Sequence, residues 1–229
     1  MDNPVPAAPV ADGAAPRPAP LDRQLPADLR TPLRADAFAL SDDEKVTAIA
    51  GHFEQIMHLL GLDLTDDSLS GTPRRVAKMY VHEWFKGLDP KHRPEVRLFE
   101  NRYHYQNMLV ERDITVFSCC EHHFVPIIGK AHVAYLPGEN VVGLSKLNRV
   151  VQYFARRPQV QERLTRQIAE ELKTALGTEN VAVLIEADHL CVMSRGVNDT
   201  NSSTITAEYG GVFGQQESLR QEFMRLIGK

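Results

Sequence analysis

Apolar residues recur at helical spacing from Val46 through Ile49, Phe53, Ile56, Met57 and Leu60, and Gly61 ends the run. Ser41-Asp42-Asp43-Glu44 in front of it reads as a capping box, with Ser41 as the cap and Glu44 reaching back. A second helical pattern opens at Thr72-Pro73, with proline in the first turn, and runs through Val76, Met79, Tyr80 and Trp84 to Gly87. From about residue 96 the period shortens, so that 112–119 and 130–136 read as strands. Helical spacing returns at Leu147, Val150, Val151 and Phe154, with Ser145 as the expected N-cap. It returns again from Pro158 through Val160, Leu164, Ile168 and Leu172 to Gly177. Strands at 181–187 and 203–209 and a short helix ending near Ile227 complete the pattern. The order strand, strand, helix, helix, strand, strand predicts an α+β fold with a helical region in front of it.

Three segments follow from this reading. Residues 1–40 form a Pro/Ala-rich tail, expected to be disordered: the first 20 residues hold six prolines and six alanines, too little apolar surface to offset ordering. Residues 41–95 form a helical region and residues 96–229 the main domain. A chain of 229 residues with net charge −4 is large enough for a real core and is not the basic protein expected of a nucleic-acid binder. It holds no run of about 18 apolar residues, so no membrane helix is expected. Without an export signal, the expected location is the cytoplasm, where three cysteines act as thiols or ligands rather than as disulfides.

The densest chemistry lies at Ser118-Cys119-Cys120-Glu121-His122-His123. Cys120-x-x-His123 is a close ligand pair, and Cys191 follows in His189-Leu190-Cys191 after an expected strand. Two thiolates and one imidazole suit Zn²⁺ and leave a fourth position open, as in catalytic sites. His122, His189 or Cys119 could close the site as a fourth ligand, so the count alone leaves both forms open. The zinc-deaminase pattern fails, because no Cys-x-x-Cys is present. Gly143-Leu144-Ser145-Lys146-Leu147-Asn148-Arg149 enters a helix with two cations in its first turn, which suits an anion. The spacing does not match a P-loop. Arg195 follows Cys191 by four residues, and Arg74 and Arg75 open the second helix. Glu162 sits in a first turn, where the helix dipole alone favours a carboxylate, so its local context marks it as structural.

Four motifs together resemble GTP cyclohydrolase I of the zinc-dependent type: Cys-Glu-His-His-Phe-Val (120–125), Gly-Leu-Ser-Lys-Leu-Asn-Arg (143–149), Arg-Pro-Gln-Val-Gln-Glu-Arg-Leu (157–164) and His-Leu-Cys-Val-Met-Ser-Arg-Gly (189–196). Thr-Pro-Arg-Arg-Val-Ala-Lys-Met-Tyr (72–80) belongs with them, and the likeness spans roughly residues 41–227. The resemblance implies the tunnelling fold, a β-β-α-α-β-β core assembled into a toroidal β-barrel homodecamer of two pentamers, with active sites between subunits. It implies hydrolysis of GTP at C8 of the purine, releasing formate and giving 7,8-dihydroneopterin triphosphate for folate or biopterin synthesis. It makes Cys120, His123 and Cys191 the zinc ligands and His122 the proton donor to the purine nitrogen. His189 and Ser145 then move protons on the ribose side. Gln161 and Glu162 bind the base, Glu162 accepting from N1–H and the exocyclic amine. Lys146, Arg149, Arg195 and, from a neighbouring subunit, Arg75 bind the triphosphate. Two residues depart from the pattern: Cys119 replaces an apolar residue and adds a rival thiol, and Leu190 replaces a commonly aromatic one. The competing readings are a sister tunnelling-fold enzyme acting on a pterin or deazapurine, and a zinc-stabilised GTP-binding module without turnover.

Overall fold

A computed structural model describes residues 25–229. Helix α1 (Asp42–Leu59) begins at the expected capping box: the Ser41 hydroxyl accepts from the Glu44 amide, and the Glu44 carboxylate accepts from the Ser41 amide at 2.7 Å. Gly61, at φ 79°, takes the left-handed conformation that turns the chain away. A short α2 (Asp67–Ser70) leads into α3 (Thr72–Lys78), with Pro73 in its first turn. The pattern expected to continue as α-helix to Gly87 instead widens into a π-turn over Met79–Trp84 and then a 3-10 turn over Lys86–Leu88. The wider turn sets Tyr80 and Phe85 with their rings 5.3 Å apart, and both rings meet Phe124.

Strands β1 (Leu98–Glu100) and β4 (Asn140–Val142) pair in a small ribbon. The main sheet holds β2 (Leu109–Cys120), β3 (Pro126–Tyr135), β5 (Pro158–Gln159), β6 (Val181–His189) and β7 (Thr204–Tyr209), in the order β5-β2-β3-β6-β7. Every pairing is antiparallel except that of β5 with the end of β2. Helices α4 (Leu144–Ala155) and α5 (Gln161–Leu176) cover one face with Leu147, Val150, Val151, Leu164, Ile168 and Leu172, all fully buried. Beyond β6 come α6 (Leu190–Met193), α7 (Gly211–Gln215) and α8 (Glu217–Leu226). Phe213 of α7 and Phe223 of α8 cover the other face. Alternation along β6 splits its side chains between the two cores: Val181, Val183 and Ile185 to one, Ala182 and Leu184 to the other. This is why β6 reads as an unbroken apolar run.

The architecture is mixed α+β in the expected element order, with β1 added in front and β4, β5, α6 and α7 interposed. Three local expectations change. Ser145 is not the N-cap of α4; Gly143 takes that position without a side-chain cap, and Ser145 lies within the first turn. Pro158 does not start a helix. Pro158 and Gln159 are extended beside Cys119 and Cys120, where a proline without an amide hydrogen is tolerated, and α5 starts at Gln161. Strand β2 starts earlier than Arg112, because a bulge between Glu111 and Ile114, with Asp113 at φ 59°, breaks the period on which the boundary rested. The tail expected over 1–40 is also shorter at its C-terminal end. Leu25 and Leu29 are buried in the main core, and the Arg157 guanidinium donates to the Thr31 hydroxyl at 3.0 Å. Residues 1–24 lie outside the described residues. Among the described residues no helix is long and apolar enough to cross a membrane.

Candidate metal centre and active site

The turn between β2 and β3 is closed by two backbone bonds, Phe124 N–H to Cys120 O at 2.9 Å and Cys120 N–H to Val125 O at 2.8 Å. Strand register then brings in the third thiol. Ile127 of β3 lies opposite His189 of β6, so the chain leaving β6 places Cys191 beside this turn. One ligand atom each from Cys120, His123 and Cys191 lies within 4.8 Å of the others. Cys120 Sγ and His123 Nδ1 are 3.8 Å apart. Tetrahedral ligation at ordinary Zn–S and Zn–N lengths puts such atoms about 3.6 Å apart, so the donor set fits a zinc-sized ion. Burial first, and then the facing Cys120 thiol, push the Cys191 thiol above its ordinary value. A divalent cation between the sulfurs would reverse both effects.

Adjacent residues of a strand point to opposite faces, so Cys119 faces away from Cys120. The residue is 1% exposed, and its thiol, through burial and then the charge of Cys120, is pushed up to about 12. It is no part of the three-residue group. His122 Nδ1 lies 3.9 Å from Cys120 Sγ, with its ring turned from that of His123 by 76°. His189 is engaged elsewhere: its Nε2 lies 2.8 Å from Gln161 Oε1. The Gln161 amide nitrogen is committed to the Thr204 carbonyl at 2.9 Å and the Ile185 carbonyl at 3.1 Å, so its oxygen faces the imidazole and Nε2 carries the proton. Burial lowers the His189 pKa, against opposing charges from Glu162 and Asp188. The Arg195 guanidinium donates to His123 Nε2 at 3.0 Å.

The remaining residues singled out by sequence lie elsewhere. Ser145, Lys146 and Arg149 occupy the start of α4, where Asn148 donates to Glu111 Oε1 at 3.2 Å. Glu111 precedes Cys120 by nine positions of β2, which at about 3.3 Å per residue is roughly 30 Å. These three do not meet the metal ligands of their own chain. Lys146 and Arg149 instead line a cleft of about 570 Å³ with Lys86 and Arg156. Arg75 sits on exposed α3, donating to the Ser68 carbonyl at 3.0 Å and the Thr72 hydroxyl at 2.8 Å. Sequence reasoning passed over Lys86 and Arg156, which stand in no motif. It also passed over Arg163, although Arg163 lies inside one.

An open ligand set of two thiols and an imidazole, flanked by a second imidazole and a carboxylate-bearing helix start, is the arrangement of a metal-dependent enzyme. The family profile of GTP cyclohydrolase I matches residues 49–228. The chain is 55% identical to a GTP cyclohydrolase 1 of Flavobacterium johnsoniae over 206 residues, 90% of this chain and 92% of that one. It is 54% identical to a GTP cyclohydrolase 1 of an Enterobacter species over 199 residues, 87% and 90% of the two chains. A crystal structure of an apo archaeosine synthase QueF-like protein aligns with 47% of this chain and 94% of its own, at 17% identity and a TM-score of 0.38. The chain belongs to the GTP cyclohydrolase I family.

Proposed function

We propose that the protein hydrolyses GTP at C8 of the guanine, releases formate and forms 7,8-dihydroneopterin triphosphate, the first step of tetrahydrofolate or tetrahydrobiopterin synthesis. The observation that carries this reading is the convergence of Cys120, His123 and Cys191 beside His122 and the His189–Gln161 pair. Zinc held by those three ligands would supply a Lewis acid and an activated water. Glu162, in the first turn of α5, accepts from N1–H and the exocyclic amine of guanine, a paired recognition that adenine cannot satisfy. Gln161 holds the His189 Nε2 proton, which leaves Nδ1 to take or return a proton on the ribose side. His122, exposed at the turn, gives a proton to the purine nitrogen. Ligation through His123 Nδ1 puts the ring proton on Nε2, which frees the Arg195 guanidinium for a phosphate.

Ser145, Lys146 and Arg149 reach such a site only from another copy, which supports a shared-site oligomer of the tunnelling-fold type, a toroidal homodecamer of two pentamers. The sheet has the edges such a ring needs. Among the described residues, strand β7 is paired on one side only, and β2 is covered on its outer side only at Cys119 and Cys120. Head-to-tail joining of such edges closes into a ring. Three free cysteines fit a reducing cytoplasm. The test is incubation of the zinc-loaded protein with GTP. Formate, and a fluorescent neopterin after oxidation, are expected; binding of unchanged GTP would contradict turnover.

A further inference from the structure

Three consecutive residues of the first turn of α5 point to three different places. Gln161 holds His189, and Glu162 is assigned to the base. Arg163, whose side chain is 12% exposed, turns to the metal-binding turn. Its Nη2 donates to a Glu121 carboxylate oxygen and, at 3.0 Å, to the Pro158 carbonyl, while its Nε donates to Gln159 Oε1 at 3.0 Å. Gln159 is itself fixed. Its amide nitrogen donates to the Phe154 carbonyl at 2.9 Å and to Gln167 Oε1 at 2.7 Å, and Gln167 donates to the Leu29 carbonyl at 2.6 Å. Both glutamines are fully buried, and in a buried polar chain with each link bonded, breaking one link strands the next.

The far end of this chain is the turn that carries the ligands. The Glu121 amide donates to the Gln159 carbonyl at 3.0 Å, and the second Glu121 carboxylate oxygen stands 4.0 Å from His122 Nε2. Phe124 in the same turn is held at φ 54°, a conformation that a bulky residue keeps only where its surroundings impose it. The pair Arg93–Glu171 makes a useful contrast. Its guanidinium grips both carboxylate oxygens, Nε to Oε1 at 3.0 Å and Nη2 to Oε2 at 2.8 Å, but it ties the middle of α5 to the chain before β1 and touches neither the ligand turn nor the start of α5.

We propose that Arg163 is a positioning residue: through Glu121 it fixes the turn bearing Cys120, His122 and His123 against the helix start bearing Glu162. The inference rests on the proposed function, because its consequence is the distance between the carboxylate that holds the base and the ligands beside the carbon that reacts. A misplacement of about 1 Å in such an arrangement costs on the order of 10²-fold in rate. The guanidinium fork meets three acceptors at once, which a lysine ammonium on a flexible stem does not reproduce.

Cobalt(II) titration of the metal-free protein, followed by its visible absorption, reads ligand geometry without any need for turnover. Arg163→Met and Glu121→Gln are expected to weaken Co²⁺ binding roughly 10- to 100-fold and to alter the absorption band. With zinc restored, kcat should fall about 10²-fold while KM stays within about threefold, because the groups that grip the substrate remain. The double variant should be no worse than Arg163→Met alone, since both substitutions cut one link. Arg163→Lys should fall between wild type and Arg163→Met. Glu171→Gln should lower the melting temperature and leave the cobalt band as in wild type. Native cobalt spectra and native kcat in Arg163→Met and Glu121→Gln, even with a lower melting temperature, would overturn the proposal. If Arg163→Met does not fold, the near-isosteric Glu121→Gln decides by the same readings. A wild type that binds cobalt yet leaves GTP intact contradicts the functional reading instead, while the spectra still decide the positioning.

Discussion

Cys119 and Cys120 share a peptide bond and have opposite chemistry. The pleat sends Cys120 to the ligand set and Cys119 to the interior, where burial keeps its thiol protonated. Cys119→Ser should therefore keep its zinc, and the native Cys119 thiol should stay inert to a thiol reagent at pH 8 until the protein unfolds. Rapid labelling of Cys119 in the folded protein would contradict its placement. Spacing marked Cys120, His123 and Cys191 as candidate ligands, because Cys-x-x-His places two donor groups on one turn, but it left His122, His189 and Cys119 open as a fourth. Glu162 was not marked, since its position at a helix start looks the same whether it serves the dipole or a substrate. Arg163 was hidden for another reason: its partner Glu121 lies 42 positions away, beyond any local pattern. His132 is a further residue known only from the fold. It is 3% exposed on β3, and its Nδ1 accepts from the Asp113 amide at 3.3 Å, a bond that favours the unprotonated ring. Burial depresses its pKa, with Asp113 and Glu186 opposing and Lys229 and Lys130 adding to the fall. A histidine depressed in the fold contributes stability that is present above about pH 6.5 and is lost as pH falls through the folded value. Melting temperature should thus decline from pH 7 to 5, and the decline should be shallower in His132→Gln; equal slopes would remove His132 as its cause.

At the scale of elements, the long amphipathic helices α4 and α5 were legible because one face meets the sheet and the other meets solvent. Boundaries failed where a second rule competed with periodicity. Pro158 reads as a helix start, but pairing with the end of β2 claims it for a strand, and the Asp113 bulge shifts the alternation that would have marked the start of β2. The segment 25–31 was misread for a compositional reason: two leucines among prolines and charges give no period, yet both are buried. Removing residues 1–35 should lower the melting temperature sharply, because Leu25, Leu29 and the Thr31 partner of Arg157 go together. Leu29→Ala alone should cost about 2–5 kcal/mol by urea unfolding, the range for a buried leucine. An unchanged midpoint would show that this segment does not hold the core.

For the whole molecule, the informative fact is a separation. The ligands sit at one end of β2, and Ser145, Lys146 and Arg149 sit near the other, roughly 30 Å apart by strand rise. A single copy cannot bring them to one GTP. If neighbouring copies share each site, Cys120→Ser and Arg149→Ala, each inactive alone, should regain activity when refolded together, because about one site in four then combines an intact ligand set with an intact Arg149. No recovery in mixed oligomers would place the site within one chain. The central claim is that the turn after β2 divides its work between adjacent residues, and one experiment tests it most directly: zinc content and formate release from GTP, measured on the same samples. Cys120→Ser and His123→Ala should lose both. His122→Ala should keep zinc and lose about 10² to 10⁴ in rate, the usual cost of removing a proton donor. Cys119→Ser should keep both. Zinc lost from Cys119→Ser and retained in Cys120→Ser would contradict the account.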